Sequence, residues 1–330
     1  MPSWNELIAE VESLPNDQEK NQWIQTNTRR ALQNVSAERG NRNVIIYASA
    51  FLQKPHLPAM NLQLTYEEIN GFMSVMHGMD WRLGLTLILH TPGGITNAAE
   101  TVVSYLHEKF EDIEVVVPTF AMSAGTMIAL GANRLIMGRQ SQLGPIDPQM
   151  PMPGGRTGSA RAIVDQFDRA KRELLEDLRL AHLWAPILQS LGPGLLQEAQ
   201  NALEYGEKMV AGWLEKRMFA GRSNAADDAA AVASYFNKAS LHKSHGRRIP
   251  RNEAREQGVI VEDLEDNQNL QESLLTAYHI TTIIFEKSPA TKILQSNSGR
   301  VWVKNTKEMV LPFPGPIPIP IVPPRIPPGR

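Results

Sequence analysis

The chain has 330 residues, enough to bury a substantial core, with 42% hydrophobic and 21% charged side chains, the balance of an ordinary globular protein. Its 33 basic and 35 acidic side chains leave a net charge of −2, which argues against a general nucleic-acid binder, and the lack of cysteine excludes disulfides, thiol nucleophiles and cysteine metal sites. The N-terminal MPSWNELIAEVESL has neither the basic nor the apolar region of a signal peptide, and no stretch reaches the ~18 to 20 apolar residues of a membrane span. A cytoplasmic protein without a transmembrane segment is expected, with peripheral membrane contact left open.

Residues 1–42 read as a helical arm, with helices over Trp4 to Leu14 and Asp17 to Arg39 that are polar enough for docking rather than for core. The main domain is expected over 43–290. It opens with a buried strand, Asn43 to Ala50, and a helix from Tyr66 to Met79 that crosses to the next strand. LGLTLILHT (Leu83 to Thr91) is a nearly continuous apolar run, as a strand buried on both faces should be, and it breaks at Pro92-Gly93-Gly94 before an amphipathic helix over Ile95 to Phe110. The unit repeats with Ile113 to Thr119, which turns at Phe120 to Gly125 into a helix of small residues, SAGTMIALGA. A short strand over Arg134 to Met137 and the run Gln142 to Gln149 follow, then the loop-like PQMPMPGGRTG. Helices are expected over Ala162 to Ala181, Leu195 to Phe219, Ala225 to Phe236 and Leu270 to Glu286, with a short helix, glycine stop and strand over Ile249 to Val261. Residues 291–330 are set apart as a tail, because 312–328 hold nine prolines among Ile, Val and Phe, a composition suited to an extended polyproline segment that serves as a linker or as a ligand for a protein partner.

Two turns in consecutive strand–helix units carry the chemistry. Ser123 stands at a strand-to-helix turn, where the first amides of the helix, that of Ala124 among them, have no intrahelical partner and the helix dipole favours negative charge. The glycine pair after the preceding strand offers a second amide, since backbone without a Cβ approaches a substrate closely. Two amides converging on a hydroxyl make a nucleophile with an oxyanion hole. The plainer alternative is that Ser123 is a helix N-cap and Gly93-Gly94 an ordinary turn.

HTPGG, then AMSAGTMIALGA, then RLIMGRQSQLGPIDPQ resembles the Clp protease/crotonase superfamily, and most closely the serine dehydrogenase proteinases related to signal peptide peptidase A. The likeness is clearest over Asn43 to Gln149 and resumes around Arg248 to Asp263. It implies an α/β fold built as a Clp/crotonase-like spiral of ββα units with a helical extension, a peptide or protein substrate, and assembly into a homo-oligomer. By the same resemblance Ser123 matches the nucleophile, and Gly94 and Ala124 match the oxyanion-hole donors.

The base is the open question. Clp-type peptidases place a histidine about 25 residues after the nucleophile, where this chain has Asp147, so a Ser-His-Asp triad requires His182, His242 or His245 to fold back. The signal peptide peptidase branch uses a lysine, which must be neutral and therefore buried, its ordinary pKa of about 10.4 suppressed by roughly three units. Lys208, in GEKMVAG beside the small Ala211 and Gly212, is preferred, and Lys171, on a stripe with Val164, Phe167, Leu174, Leu175 and Leu178, is the competitor. Either could instead be an ordinary lysine with its stem along apolar surface. Asp147 then shapes the cleft or a subunit contact, or is a turn residue before Pro148.

Three functions compete. The first is a serine endopeptidase with a Ser123–Lys208 dyad, without cofactor or metal and without an ATP site of its own, since Gly154-Gly155-Arg156-Thr157-Gly158 lacks the Lys-Ser/Thr of a phosphate-binding loop. The second is an inactive scaffold or adaptor of the same fold. The third is crotonase-like acyl-CoA chemistry, which the serine at the turn disfavours.

Overall fold

Strand β1 (Asn43–Ser49) divides its side chains between two cores. In the computed structural model, which describes residues 3–152, 155–192 and 194–306, Ile45 and Tyr47 join one apolar cluster while Val44, Ile46 and Ala48 join another. The split repeats in β2 (Leu85–His90), β3 (Ile113–Val117) and, past the two-residue β4 (Phe120–Ala121), in β5 (Arg134–Met137). Leu87, Val115 and Leu135 face one side and Ile88, Val116 and Ile136 the other. Burial of both faces is why these segments read as unbroken apolar runs.

The remaining strands are β6 (Gln142–Leu143), β7 (Gln149–Met152), β8 (Arg156–Ser159), β9 (Ile249–Pro250), β10 (Val261–Asp263), β11 (Ala290–Ser296) and β12 (Val301–Asn305). The main sheet has the order β10-β5-β3-β2-β1-β11-β12, parallel from β10 to β1, with β11 and β12 antiparallel at the far edge. A small second sheet, β4-β6-β9, stands beyond the ends of β2 and β3, to which the bridge Thr91–Ala121 ties it. This is the α/β architecture of the Clp type.

The helices are α1 (Trp4–Glu12), α2 (Asp17–Glu38), α3 (Ala59–Leu62), α4 (Glu68–Met76), α5 (Thr96–Lys109), α6 (Ala124–Leu130), α7 (Ala160–Glu176), α8 (Ala181–Leu191), α9 (Leu195–Lys216), α10 (Ala225–Asn237), α11 (Ala239–His242), α12 (Arg251–Glu256) and α13 (Gln268–Lys287). On one face α4, α5, α6, α9 and α10 supply Phe72, Val102, Met127, Val210 and Phe236 to the core, and on the other α2 and α13 supply Leu32, Val35, Leu274 and Phe285. No helix among the described residues is long and apolar enough to cross a membrane.

Several expected boundaries move. The N-terminal arm is part of the body, because Leu32 and Val35 of α2 are fully buried against β1 and α13, and Leu7 of α1 packs on Ile280 and Ile283. The sheet continues past residue 290, since β11 pairs with β1 in the register Ile45–Ser296 to Ser49–Lys292 and β12 completes a hairpin with it. The proline-rich 312–328 lies outside the described residues. The stretch expected as a loop after Gln149 forms the antiparallel pair β7–β8, with Pro151 in a two-stranded hairpin that has edges to spare for a residue lacking an N–H.

At the starts of β3 and β5, Glu114 is fully buried and accepts hydrogen bonds from Arg39 (2.6 and 2.8 Å), Thr86 (2.6 Å) and Arg134 (3.1 Å). Burial works to raise its pKa, but Arg39, Thr86 and Arg42 outweigh it and hold the carboxyl below its ordinary range. The cluster ties α2 to the sheet at the strand starts, and the opposite ends of the strands are left for the site.

His90, at the end of β2, is buried between Phe51 and Tyr278, and desolvation lowers its pKa from 6.5 to about 3. The unfolded chain therefore takes up a proton there that the folded chain refuses, so the contribution is complete above pH 6.5 and is lost as pH falls toward 3. Between pH 7 and 5 this residue alone should cost about 2 kcal/mol of stability. Urea unfolding of the wild type and of His90→Gln at both pH values should show the variant with the flatter dependence; equal slopes would remove the assignment.

Candidate active site

The site lies where β2 and β3 end. β2 runs into Thr91-Pro92-Gly93-Gly94, and the chain leaving β3 passes through β4 into Met122-Ser123 and then α6. Backbone hydrogen bonds from Thr91 to Phe120 (3.0 Å) and from Met122 to Thr91 (3.1 Å) lock the two turns side by side. A Cβ built on Gly93 would stand 2.5 Å from the Met122 carbonyl oxygen and 2.7 Å from the Ser123 Cβ, so only glycine permits this approach.

Ser123 has φ 53° and ψ −118°, a backbone conformation that costs a non-glycine residue on the order of 1–3 kcal/mol. Its side chain makes no capping hydrogen bond to α6, so the N-cap reading does not hold. Ser123 instead stands at a sharp strand-to-helix elbow, partly buried, at the start of a helix whose residues Ala124 to Leu130 are all buried.

Two amides flank it. Those of Gly94 and Ala124 donate to no described residue, whereas their neighbours are engaged: Gly93 N–H bonds the Thr91 hydroxyl (3.2 Å), Ile95 N–H the Leu64 carbonyl (3.0 Å) and Gly125 N–H the Met122 carbonyl (2.8 Å). Leu64 pairs with Gly94 in a parallel bridge so close that a Cβ on Gly94 would meet the Leu64 oxygen at 2.2 Å.

The lysines lie elsewhere. The buried stripe of α9 is Ala199, Leu203, Gly206, Val210 and Leu214. Two positions past Gly206, Lys208 is rotated roughly 200° away from it. Its side chain is 76% exposed and its ammonium is paired with Glu204 at the surface, so it lacks the burial that a lysine base needs. The small residue packing α9 near α6 is Gly206, whose added Cβ would stand 3.7 Å from Met127. Lys171 is exposed too, on a stripe whose far end, Leu175 and Leu178, is itself 79% and 77% exposed. Neither lysine has the burial on which the Ser–Lys expectation rested.

The loop after β6 supplies an alternative. Gly144 packs against the elbow: its added Cβ would stand 3.6 Å from the Met122 Cα, and its N–H bonds the Thr126 hydroxyl of α6 (3.0 Å). Three residues on, and so no more than about 11 Å from Gly144, Asp147 is 2% exposed. Its carboxylate accepts from Gln149 Nε2 (2.7 Å) and from His245 Nδ1 (2.8 Å). Of the three histidines considered, His182 is on the surface and His242 is occupied by the Tyr235 carbonyl and Arg247. His245 alone of these meets Asp147, through Nδ1, and its Nε2 makes no hydrogen bond to a described residue. No hydrogen bond joins His245 to Ser123 among the described residues. Neither a cluster of metal-ligating side chains nor a cysteine occurs among the described residues.

A profile of the ClpP-like SDH-type serine proteinases matches residues 15–181, just over half of the 330. Among curated proteins, the chain is 46% identical over 154 residues to the uncharacterized protein MJ0137 of Methanocaldococcus jannaschii, covering 44% of this chain and 49% of that one. It is 30% identical over 122 residues to the uncharacterized protein MJ1495 of the same organism, covering 37% and 41%. The chain thus spans about half the length, or less, of the curated relatives it matches. Two solved variants of 1510-N, a membrane-bound stomatin-specific protease, are similar at 19% and 20% identity, cover 64% and 61% of this chain and 79% and 71% of theirs, and have TM-scores of 0.38 and 0.37. The second is in complex with a substrate peptide. Since the family profile covers more than half of the chain, including β1 to β8, both turns and the Asp147 loop, the chain belongs to the ClpP-like SDH-type serine proteinases.

Proposed function

We propose that this chain is a serine peptidase in which Ser123 is the nucleophile, the Gly94 and Ala124 amides hold the oxyanion, and His245, oriented by Asp147, is the general base. The observation that carries the reading is the strained Ser123 elbow with its uncommitted hydroxyl between two uncommitted amides. Ser123 Oγ attacks the peptide carbonyl carbon while its proton passes to His245 Nε2, and negative charge collects on the carbonyl oxygen, facing the two N–H groups. The tetrahedral intermediate collapses, the amine leaves with the proton from His245, and water hydrolyses the acyl-enzyme by the same steps reversed.

Placing the base at His245 replaces the Ser123–Lys208 dyad expected from the sequence; the carboxylate on Nδ1 supports this, and the exposure of Lys208 weighs against the dyad. Cytoplasmic residence and self-association belong to the same proposal, the latter supported by the exposed Leu175, Leu178 and Leu183 around the α7–α8 turn. Incubation with a fluorophosphonate followed by peptide mapping should place the label on Ser123. Label on another serine, or none at a concentration that labels trypsin, would overturn the assignment.

A further inference from the structure

We propose that Glu68, with Lys292 as its counter-ion, is the positioning residue of the oxyanion-hole turn, an inference that rests on the peptidase reading above. Glu68 opens α4 and is fully buried, as is Lys292 on β11, and the two ions meet at 2.5 Å. Two routes run from this carboxylate to the glycine pair. Along the first, Glu68 Oε2 accepts both the backbone N–H and the hydroxyl of Thr65 (2.8 Å each). The residue before Thr65 is Leu64, whose N–H bonds the Gly93 carbonyl (2.7 Å) and whose carbonyl accepts from Ile95 (3.0 Å), so that Gly94, lying between these two bonds, has its own N–H left uncommitted. Along the second, Glu68 Oε1 accepts from the Tyr47 hydroxyl (3.3 Å), which interacts with the Thr91 side chain, and the Thr91 hydroxyl accepts from the Gly93 N–H (3.2 Å). One buried carboxylate therefore grips the oxyanion turn from both flanks.

A buried ion pair is a poor device for stability, since well-packed apolar side chains of similar volume commonly do as well or better. What it supplies is direction. The fixed acceptors of Glu68 pin the height of Leu64 against Gly94, and a displacement of about 1 Å in a donor aimed at a developing charge is enough to cost up to about 100-fold in rate. Lys292 stands on β11, a strand that joins the sheet next to β1, so the same contact couples the C-terminal hairpin to the site.

The test is the paired swap Glu68→Leu with Lys292→Met, which removes both charges and leaves neither ion stranded. The paired variant should still fold with a cooperative melting transition, while kcat on a fluorogenic peptide falls roughly 10- to 100-fold and KM stays within about two-fold. Binding of a peptide aldehyde, which forms an oxyanion with Ser123, should weaken by the factor lost in kcat/KM, and binding of the matching peptide amide should not change. Glu68→Gln, which keeps the shape and loses the charge, should move the aldehyde alone in the same way. A folded paired variant with wild-type kcat and aldehyde affinity would overturn the inference, and so would equal weakening of aldehyde and amide. Wild-type labelling by fluorophosphonate is measured alongside: its absence removes the peptidase reading and this inference together, whereas a labelled, active wild type beside an unaffected paired variant removes this inference alone.

Discussion

Ser123→Ala is expected to lower peptide turnover by on the order of 10^6-fold while leaving the folded state almost untouched. The hydroxyl makes no hydrogen bond with a described residue and does not cap α6, so its removal strands no buried partner, and the denaturation midpoint should move by no more than about 0.5 kcal/mol. Ser123→Gly sharpens the test. Glycine accepts φ 53° without a Cβ penalty, so that variant should be equally inactive and at least as stable as the alanine variant. A chain optimised for stability alone would hold glycine here; under the proposed reading the serine is kept in the strained turn for its reaction. Turnover by either variant above the level of the uncatalysed reaction, once contaminating peptidase is excluded by inhibitor labelling, would move the nucleophile away from Ser123.

How far the sequence could be read depends on how local each feature is. β1, β2, β3 and β5 were legible because burial on both faces leaves an unbroken apolar run that no other element of that length produces. The two turns that hold Ser123 and the glycine pair were legible because a strand, a turn and a helix follow one another within a few residues. β11 was not. ATKILQS carries Thr, Lys, Gln and Ser, all buried in the fold, and Lys292 is tolerable there only because Glu68 meets it from 224 residues away. The burial of Lys208 was misjudged for a related reason: the small residues of GEKMVAG signal close packing, but Gly206 sets the buried stripe, and that phase follows from the helix as a whole rather than from the motif. His245 offered no local sign. Its partner Asp147 is 98 residues earlier, and the position 24 residues past the nucleophile, where Clp-type peptidases have histidine, holds the other half of the pair.

That exchange sets up the second large effect. If His245 is the base and Asp147 its support, His245→Ala should cost about as much as Ser123→Ala, and the double variant should cost no more than either alone, because residues acting in one proton transfer are lost as a unit. Asp147→Asn keeps the shape of the loop but can no longer stabilise the imidazolium or hold the tautomer with Nε2 free, and a loss on the order of 10^4-fold in kcat is expected. Gln149→Ala, which removes the other partner of the Asp147 carboxylate and touches no reacting atom, should cost far less, and its ratio to Asp147→Asn separates orientation of the imidazole from repair of a buried acid. Lys208→Met should leave kcat within about two-fold, since it deletes one exposed i,i+4 ion pair of the kind worth about 0.3–0.5 kcal/mol at most. Steady-state kinetics on one peptide across these six variants decides between the two bases. An inactive Lys208→Met beside an active His245→Ala would return the chemistry to a Ser–Lys dyad, and would require a second subunit or a bound substrate to cover an ammonium that in the single chain stands in solvent beside Glu204.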